Sequence, residues 1–278
     1  MLTIMQYQNP LISVIFSVKD GEDYLQDAIE SILNQQFTDF EFIIVNDGST
    51  DGTGKIIDRY ASQDSRIRVF VNEKNIGLTK SLNFAARKAR GKYFARMDAD
   101  DIALPLRFEK QVEFLNSNPD VVLVGSGYKE INSSGEEVGS RSFPEDDDSL
   151  RRVLIKHNPF FHSSILMRGN VFNSCNGYDE GFRQAQDYDL WFRFLNHGKI
   201  ANLSEPHMKR RYSDNIISVR SEKKQVKNAL KARYRALRRG QYSLNHSKYL
   251  IRPALVWLFP SFVKKFIRKR FLKSNLYG

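Results

Sequence analysis

The chain has 278 residues, with 43 Lys and Arg, 32 Asp and Glu, and one cysteine, Cys175. This length allows one large domain or a medium domain with an appendage, and a single cysteine excludes an intrachain disulfide, which fits a reducing compartment. The charge is uneven: residues 207–278 contain 20 Lys and Arg and two acids, a net charge of +18, whereas residues 1–206 have a net charge of −7. A basic tail on an acidic body argues against a basic active site and indicates an anionic surface as a partner.

Neither end of the chain is predicted to span a membrane. The apolar run at 11–18 has no basic region before it and no small-residue cleavage site after it, so it does not resemble a secretion signal. The longest uncharged apolar run near the C-terminus, residues 253–263, has eleven residues, whereas about 20 are needed to span a bilayer. We therefore expect no transmembrane helix.

The first 125 residues alternate strand and helix patterns, which predicts an α/β fold with a mainly parallel central sheet flanked by helices. Apolar runs predict strands at 11–18, 41–45, 67–71, 93–97 and 121–124. Apolar residues at helical spacing predict helices at 22–35, 56–60, 78–89 and 105–115. After residue 125 the predicted elements are polar loops at 133–139 and 144–149, an apolar segment at 158–167 and a helix at 190–195. Beyond about residue 220 the chain is basic and helical in propensity.

Acidic side chains follow two of the predicted strands. Asp47 follows the second strand, and Asp98 and Asp100 follow the fourth. Ligands of parallel sheets bind beyond the carboxyl ends of the strands, and a spacing of two on extended backbone points both carboxylates to one side. Such a pair suits Mg²⁺ or Mn²⁺, which would neutralise charge on a leaving diphosphate. Two acids in a surface loop are more often only solvated, and it is their place at a strand end that favours a metal site.

Two common nucleotide-binding patterns are absent. No Gly-x-Gly-x-x-Gly follows the first strand, and no Gly-x-x-x-x-Gly-Lys-Ser/Thr occurs anywhere in the sequence. These absences argue against a dinucleotide-binding Rossmann enzyme and against a P-loop NTPase.

Six segments share a pattern that is more specific than any single motif. They are PLISVIFSV at 10–18, SILNQQF at 31–37, EFIIVNDGSTDG at 41–52, NIGL at 75–78 with Asn83, GKY at 91–93 and MDADD at 97–101. In this order they resemble family 2 glycosyltransferases, strongly over residues 10–125 and more loosely over 155–200. The resemblance implies the GT-A fold in a catalytic domain at 1–219, with a nucleotide-sugar half at about 1–125 and an acceptor half at about 126–219. A basic amphipathic helical region at 220–278 would follow.

The resemblance implies roles for residues of the first half. Ser17 and Asp47 would line the nucleotide pocket, where Asp47 could accept a hydrogen bond from uracil N3–H and so favour a UDP-sugar. Lys80 and Arg96 would lie near the diphosphate or the sugar.

The same resemblance assigns the acidic motif after the fourth strand. Asp98 and Asp100 would form the family's Asp-x-Asp, in which both bind a divalent metal, Mn²⁺ or Mg²⁺, and Asp98 also contacts the nucleotide-sugar. Asp100 would be the more direct of the two metal ligands.

The second half contains the residue that the resemblance implies as the catalytic base. In the segment QAQDYDLW, residues 184–191, Asp187 takes the position of the base, and Gln186 stands where the family usually has Glu. This departure affects acceptor contacts but keeps the base, since an aspartate near the acceptor can remove its proton as the new bond forms. An acid before Leu190 and Trp191 would also suit a helix N-cap, and that alternative stays open.

Two further residues are candidates for the acceptor side. His162 lies in HNPFFHSS, residues 157–164, which resembles a family segment near the acceptor, although a single histidine is as often a packed residue. Trp191 could stack on a sugar, but its helical spacing with Phe194 and Leu195 favours the core. The Gln-x-x-Arg-Trp motif of the processive subfamily is absent, which argues against a polymerase that threads a growing chain.

The C-terminal region combines basic residues with apolar and aromatic ones. The segment KKQVKNALKARYRALRR at 223–239 is followed by residues 248–273, in which Leu, Ile, Trp and Phe are interleaved with Lys and Arg. Basic amphipathic helices can lie in a membrane interface, where each Lys or Arg near an anionic leaflet contributes about 1 kcal/mol. We expect a cytoplasmic protein attached peripherally to the inner face of the cell membrane. The alternative is a helical subdomain that packs on the catalytic domain or on a partner subunit.

These inferences predict an inverting glycosyltransferase that moves a sugar from a UDP-sugar to a glycan or lipid-linked acceptor, in lipopolysaccharide, capsule or other cell-surface glycan synthesis. A sugar-nucleotide nucleotidyltransferase is one alternative, but residues 17–21 lack the Gly-rich phosphate loop that it needs. A basic nucleic-acid-binding protein is another. Because the basic charge is confined to the tail and no nucleic-acid motif is present, nucleic acid is not expected as a partner.

Overall fold

The computed structural model describes residues 9–212 and 222–258. The chain divides into two compact units, Met1–Asp214 and Asn215–Gly278. The predicted boundary between residues 219 and 220 lies outside the described residues.

The first half of the larger unit alternates strands and helices, as the sequence predicts. Its elements are β1 (Ile12–Val18), α1 (Leu25–Leu33), β2 (Phe40–Asn46), α2 (Thr53–Ala61), β3 (Ile67–Val71), α3 (Leu78–Lys88), β4 (Tyr93–Arg96), β5 (Ile102–Ala103) and α4 (Arg107–Ser117). β1 and β2 are buried along their whole length, as strands are where helices cover both faces of a sheet. Helix α1 buries Leu25, Ala28, Ile29 and Ile32, a stripe at helical spacing.

Four of these strands form a parallel sheet in the order β3-β2-β1-β4. β1 and β2 end side by side, where Val18 pairs with Asn46, and β4 ends with Arg96 opposite Ile15 of β1. Because the strands are parallel, the loops that follow β1, β2 and β4 leave the same edge of the sheet.

The second half of this unit extends the sheet beyond β4. Its elements are β6 (Val121–Ile131), β7 (Glu137–Arg141), α5 (Asp147–Leu154), a 3₁₀ turn (His162–Ser164), β8 (Leu166–Arg168), α6 (Gly169–Ser174), α7 (Gln186–Phe194) and β9 (Lys199–Arg211). Within residues 9–212 the strand order continues β4-β8-β6-β9-β5, with β7 on β6. β8 is antiparallel to both neighbours, whereas β6 and β9 are parallel. The sheet is therefore parallel in its first half and mixed in its second.

The second half also contains the elements that the sequence patterns missed. β7 lies across part of the predicted loop at 133–139; its sequence EVGSR has no apolar alternation, and it is a strand because its backbone pairs with β6. Helix α5 begins inside the predicted loop at 144–149, where the Asp146 side chain caps it by accepting a hydrogen bond from the Ser149 N–H at 2.8 Å. β9 was not predicted, because its buried residues come in runs and not in alternation with exposed ones.

The smaller unit is helical in its described part. It comprises α8 (Glu222–Arg238), a 3₁₀ turn (Leu244–Ser247) and α9 (Lys248–Leu258). The two helices are in contact, and Arg233 Nη1 donates a hydrogen bond to the Tyr249 carbonyl at 3.1 Å. Among the described residues, no helix has the length and apolar character that crossing a bilayer requires.

Candidate active site

The loops that follow β1, β2 and β4 meet at one edge of the sheet. The Asp20 carboxylate accepts a hydrogen bond from the Thr50 N–H at 2.7 Å, which ties the first loop to the second. A Cβ atom built on Gly21 would lie 3.7 Å from the Cβ of Ala99, so the first loop also contacts the segment after β4. The edge therefore brings together the two acidic segments that the sequence singled out.

Asp47 is buried at this edge and holds the start of α3. Its Oδ1 accepts hydrogen bonds from Asn72 Nδ2 at 2.8 Å and from the Ile76 N–H at 2.9 Å, and its Oδ2 accepts one from the Gly77 N–H at 2.9 Å. Each carboxylate oxygen can accept two hydrogen bonds, so Oδ2 keeps capacity for another donor. Asp47 thus has a structural role, and the bond to uracil stays a prediction.

Ser17 and Lys80 flank Asp47 from neighbouring elements. Ser17 is buried in β1, in register with Val45 of β2. Lys80 is exposed on α3 and lines a cavity of about 370 Å³ between the start of α3 and the loop before α7. Thr79 Oγ1 donates to the Phe182 carbonyl at 2.8 Å, so that loop is docked on α3. The cavity lies between the predicted nucleotide half and the segment that leads to Asp187.

Arg96 is buried at the end of β4 and binds Asp98. Its Nη1 donates to Asp98 Oδ2 at 2.6 Å, its Nη2 donates to Asp98 Oδ1, and Nη1 also donates to Ser163 Oγ at 3.0 Å. The Arg96 side chain is 1% exposed and that of Asp98 is 38% exposed. The guanidinium therefore serves first to hold the acidic motif, and only Asp98 of this pair reaches solvent.

Asp98, Asp100 and Asp101 form a cluster whose carboxylate oxygens lie within 4.8 Å of one another. Asp101 is buried, and it accepts hydrogen bonds from Ser163 Oγ and from the Arg211 N–H. Asp100 is exposed, and within residues 9–212 no other side chain donates a hydrogen bond to its carboxylate. Desolvation by neighbouring atoms, followed by the negative charge of Asp98, raises the pKa of Asp100 to about 6.

This cluster fits a divalent metal ion. Its donors are hard carboxylate oxygens, as Mg²⁺ and Mn²⁺ prefer, and a cation would offset the repulsion between them. The carboxylate of Asp98 is bonded to Arg96, and that of Asp101 is bonded to Ser163. Asp100 is therefore the carboxylate most available to a metal.

Asp187 lies in the first turn of α7 and is bound by one side chain from a different segment. Asn158 Nδ2 donates a hydrogen bond to Asp187 Oδ2 at 2.7 Å. The N-cap residue of α7 is Ala185, and no side chain caps the helix. The alternative interpretation of Asp187 as the N-cap is therefore wrong.

The electrostatic surroundings of Asp187 connect it to the acidic motif. Burial raises the pKa of Asp187, and the Tyr188 N–H, the positive charge of Arg96 and the Asn158 hydrogen bond oppose that increase. Arg96 is the residue that holds Asp98. The positive charge of Arg96 therefore acts on Asp98 through an ion pair and on Asp187 without direct contact.

Of the three acceptor-side candidates, Trp191 and Gln186 are buried and His162 is half-buried. Trp191 is 0% exposed and packs edge-on against Phe160, with ring centroids 5.9 Å apart, so it is a core residue and its prediction as a sugar contact is wrong. His162 Nε2 lies 2.8 Å from the Tyr178 hydroxyl, and burial lowers the pKa of His162 well below its usual value. Gln186 is also buried.

Three residues at the site were not singled out from the sequence. Asp101 adjoins the Asp-x-Asp motif and could have been found from that position. Ser163 Oγ accepts hydrogen bonds from the Asp98 N–H and from Arg96, while it donates to Asp101. Ser163 and Asn158 lie in the segment 157–164, but no pattern within it marks them, because their partners are distant in the sequence.

Comparisons with known proteins establish the family. The sequence profile described as “Glycosyl transferase family 2” matches residues 13–185. The protein named “Putative glycosyltransferase EpsE” of Bacillus subtilis (strain 168) is 34% identical over 271 residues, which is 96% of this chain and 96% of EpsE. This chain is a family 2 glycosyltransferase. The resemblance seen in the sequence is confirmed, and the nucleotidyltransferase and nucleic-acid-binding alternatives are wrong.

A second relative of this glycosyltransferase is the O-antigen biosynthesis glycosyltransferase WbnJ of Escherichia coli. It is 38% identical over 188 residues, which is 67% of this chain and 72% of WbnJ. Both relatives bear the name of an enzyme that transfers sugars, and WbnJ is also named for a cell-surface glycan.

Solved structures confirm the GT-A fold of this glycosyltransferase. S. aureus TarS in complex with UDP-GlcNAc superposes with a TM-score of 0.70 at 19% identity, covering 95% of this chain and 76% of the TarS chain. Mannosyltransferase PcManGT from Pyrobaculum calidifontis, in complex with GDP-Man and Mn²⁺, gives a TM-score of 0.62 at 15% identity and covers 96% of this chain and 86% of its own. At these identities the likeness concerns the fold.

Proposed function

We propose that this glycosyltransferase is an inverting, metal-dependent enzyme that moves a sugar from a UDP-sugar to a hydroxyl of a glycan or lipid-linked acceptor in cell-surface glycan synthesis. The observation that carries the proposal is the short segment 158–163, in which Asn158 donates a hydrogen bond to Asp187 and Ser163 is hydrogen-bonded to Asp98. This segment connects the candidate base to the candidate metal motif, which supports their action on one substrate. The name of WbnJ supports the glycan class.

On the donor side, the residues of the parallel edge bind and orient the nucleotide-sugar. Asp47 Oδ2 accepts from the base, Ser17 lines the same pocket, and Lys80 reaches the diphosphate from the cavity that it lines. Asp98 and Asp100 would hold a divalent ion, which neutralises charge on the leaving diphosphate. UDP is favoured by the free capacity of Asp47 and by the UDP-GlcNAc complex of TarS.

On the acceptor side, Asp187 removes the proton of the attacking hydroxyl. The acceptor O–H bond breaks as its proton passes to the carboxylate, and the oxygen forms a bond to the anomeric carbon. The bond from that carbon to the diphosphate breaks, and its electron pair leaves with the diphosphate. Because attack and departure occur on opposite faces, the product has inverted anomeric configuration. A positioned base of this kind contributes on the order of 10²–10⁴-fold to the rate.

The donor assignment is tested with a panel of UDP-, GDP-, dTDP- and CMP-sugars in the presence of Mn²⁺. The measurements are protection against thermal unfolding and slow hydrolysis of each donor. We expect protection by UDP-sugars, and its loss in Asp100→Ala when the metal is present. If GDP-sugars alone protect the enzyme, the proposed donor changes from a UDP-sugar to a GDP-sugar. PcManGT, whose structure contains GDP-Man, is an example of such a donor in this fold.

The base is tested by Asp187→Asn, with Asp189→Asn as the matched control on the same helix. We expect Asp187→Asn to lose transfer by on the order of 10²–10⁴-fold while keeping its affinity for UDP. Asp189 forms an ion pair with Arg193 at 2.9 Å, so its substitution should lower stability and keep most of the transfer activity. Equal loss of transfer and UDP binding in Asp187→Asn would mean that Asp187 is structural.

The peripheral membrane location is proposed from the face of α9. Ile251 and Leu255 lie one helical turn apart and are 60% and 47% exposed, and Trp257 near the end of the helix is 39% exposed. Exposed apolar and aromatic residues in a basic segment suit an anionic lipid surface. Such attachment would place the cytoplasmic enzyme at the inner leaflet, where lipid-linked acceptors can be reached.

The lipid proposal is tested by co-sedimentation with vesicles of phosphatidylglycerol and phosphatidylcholine, against vesicles of phosphatidylcholine alone. We expect binding to the anionic vesicles only, and loss of binding in the double variant Ile251→Ser, Leu255→Ser. The control is Val138→Ser, at an exposed apolar residue of β7. Two results would assign this face to a partner chain instead. One is unchanged sedimentation of the double variant, and the other is a dimeric wild type that becomes monomeric in the double variant.

A further inference from the structure

Asn158 is held in one orientation by two hydrogen bonds. Its Nδ2 donates to Asp187 Oδ2 at 2.7 Å, and its Oδ1 accepts from the Phe160 N–H at 3.2 Å. A flipped amide would set its NH₂ group against the Phe160 N–H and its oxygen against the Asp187 carboxylate, which are two repulsive contacts. The structure therefore determines which end of the amide faces Asp187.

The segment that contains Asn158 is anchored to the helix that contains Asp187. Phe160 packs edge-on against Trp191, with ring centroids 5.9 Å apart, and Trp191 follows Asp187 by one turn of α7. Asn202 Nδ2 donates to the Pro159 carbonyl at 3.2 Å and fixes the segment from β9. Asn158 and Asp187 are therefore held as a rigid pair, and the bond between them does not depend on a mobile side chain.

We infer that Asn158 is a positioning residue, which holds Oδ2 of Asp187 so that Oδ1 receives the proton of the acceptor hydroxyl; this inference rests on the proposed role of Asp187 as the base. Within residues 9–212, Asn158 is the side chain that donates a hydrogen bond to this carboxylate, and it donates to Oδ2, so no side chain occupies Oδ1. The Tyr188 N–H also lies beside the carboxylate. Because Asn158 occupies one carboxylate oxygen, it selects both the oxygen that reacts and the direction from which the hydroxyl approaches.

Asn158 also acts on the charge of the base. Burial raises the pKa of Asp187, and the Asn158 hydrogen bond stabilises the ionised form that proton removal requires. From other elements, Arg96 lowers the pKa of Asp187, and the Tyr178 hydroxyl, bonded to His162, faces Asp187. On α7 itself the next acid is Asp189, which is paired with Arg193. Of these groups, Asn158 is the one that donates a side-chain hydrogen bond to the carboxylate.

The experiment is the pH dependence of kcat/KM for transfer by the full-length enzyme and by Asn158→Leu, which has nearly the same shape and no donor. Without the donor the pKa of Asp187 rises. The acidic limb of the pH profile of kcat/KM should therefore move to higher pH by about one unit. We also expect kcat to fall and KM for the nucleotide-sugar to stay close to that of the wild type. An unchanged limb together with unchanged kcat overturns the inference.

Two further variants separate positioning from packing. Asn158→Asp keeps the shape but places a second carboxylate beside Asp187, so the acidic limb should move further than in Asn158→Leu, and this variant serves if the leucine variant does not fold. Asn202→Leu removes the anchor on Pro159 but keeps the Asn158 donor, so it should lower the thermal midpoint and leave the limb in place. If the acidic limb moves as far in Asn202→Leu as in Asn158→Leu, the effect of Asn158 on the profile is merely structural.

The outcome for Asp187→Asn distinguishes this inference from the function on which it rests. If that variant keeps transfer activity, the base assignment fails. If it loses transfer and Asn158→Leu behaves as the wild type, the base stands and only the positioning role of Asn158 is wrong.

Discussion

The two halves of the larger unit hold their functional carboxylates in different ways. Asp47 in the first half accepts three hydrogen bonds, and two of them come from backbone N–H groups at the start of α3. Asp187 in the second half accepts one side-chain hydrogen bond, from Asn158, and burial raises its pKa. The first carboxylate is tied to a neighbouring helix by backbone donors of that helix, whereas the second, beside the Tyr188 N–H of its own helix, is tied to another segment by one side chain.

This difference indicates where the enzyme can vary. Backbone donors at a helix start come with the parallel α/β arrangement, so the donor half can be kept while other parts change. In the acceptor half, the partner of Asp187 is Asn158, which comes from the irregular segment 155–164. Substitutions at Asn158 can therefore alter acceptor chemistry without dismantling the nucleotide pocket, whereas Ser163 of the same segment bonds the acidic motif of the first half. The following predictions test that division.

The largest effect on stability is expected where the two halves join, at Arg96. Arg96→Met leaves Asp98 without its ion-pair partner and Ser163 without one of its donors, and it removes the positive charge near the buried Asp101. The free energy of unfolding should therefore fall by about 3–5 kcal/mol. Urea unfolding measures this change. The control is Arg90→Met, whose half-exposed side chain pairs with Glu41, and it should cost about 0–1 kcal/mol. Similar losses in both variants would contradict a special role for the junction.

Ser163 and Ser164 offer a matched pair next to this junction. Both are buried, but Ser163 Oγ is hydrogen-bonded to Asp98, Arg96 and Asp101, whereas Ser164 Oγ is hydrogen-bonded to the backbone of Phe161 and Ser126. Each alanine variant should lose about 1–3 kcal/mol of stability because it leaves buried groups without partners.

The two serine variants should differ in metal binding. In Ser163→Ala the acidic cluster loses its fixed arrangement, so the dependence of UDP binding on Mn²⁺ should change, while in Ser164→Ala it should match the wild type. Calorimetric titration of UDP at several Mn²⁺ concentrations checks this expectation. Identical metal dependence in the two variants would assign both serines to packing alone.

The first half could be predicted closely from the sequence because its signals are local. The strand at Ile67–Val71 has the predicted limits, and Asp47 and Asp98 both follow strands of the parallel sheet. Each pattern lies within one element, and the sheet edge follows from parallel pairing.

The second half resisted prediction because its structure comes from distant contacts. β7 has mostly exposed residues and exists through pairing with β6. Asn158 and Asp187 are 29 residues apart, and Ser163 is 65 residues from Asp98, so no spacing rule connects them. Trp191 shows the opposite case: its helical spacing indicated the core, and the structure places it there.

A change in the pH dependence of stability is expected for Asp187→Asn. The folded-state pKa of Asp187 is raised by burial, so its contribution to stability is full below the unfolded-state pKa and is lost as pH rises through the folded-state pKa. The asparagine has no charge to bury. The difference in the free energy of unfolding, variant minus wild type, should therefore be more positive near neutral pH than at about pH 4.

Urea unfolding of both proteins across this pH range measures the difference, and Asp189→Asn is again the control. A pH-independent difference between wild type and Asp187→Asn would mean that Asp187 titrates alike in both states. That result would weaken the contrast between the two halves, because Asp187 would then be as well solvated as an ordinary surface acid.

The smallest effects on stability concern two glycines of the first half. Their alanine variants should change the free energy of unfolding in opposite directions. Gly77 has φ +94°, and a Cβ atom added there would meet nothing within 4 Å, so Gly77→Ala costs only backbone strain, about 1–2 kcal/mol. Gly54 lies in α2, where an added Cβ would lie 3.6 Å from Asn46 Nδ2 in ordinary contact. Gly54→Ala should therefore stabilise by about 0.4–1 kcal/mol.

Thermal unfolding of the two alanine variants tests whether the backbone at the start of α3 is itself part of the site. Gly77 donates its N–H to Asp47 Oδ2, the oxygen proposed to receive uracil, so relaxation of the strain would move this donor. UDP affinity should then fall in Gly77→Ala and stay unchanged in Gly54→Ala. Loss of stability without loss of affinity would mean that the nucleotide pocket tolerates a shift of the helix start, and that the donor half is less rigid than its hydrogen bonds indicate.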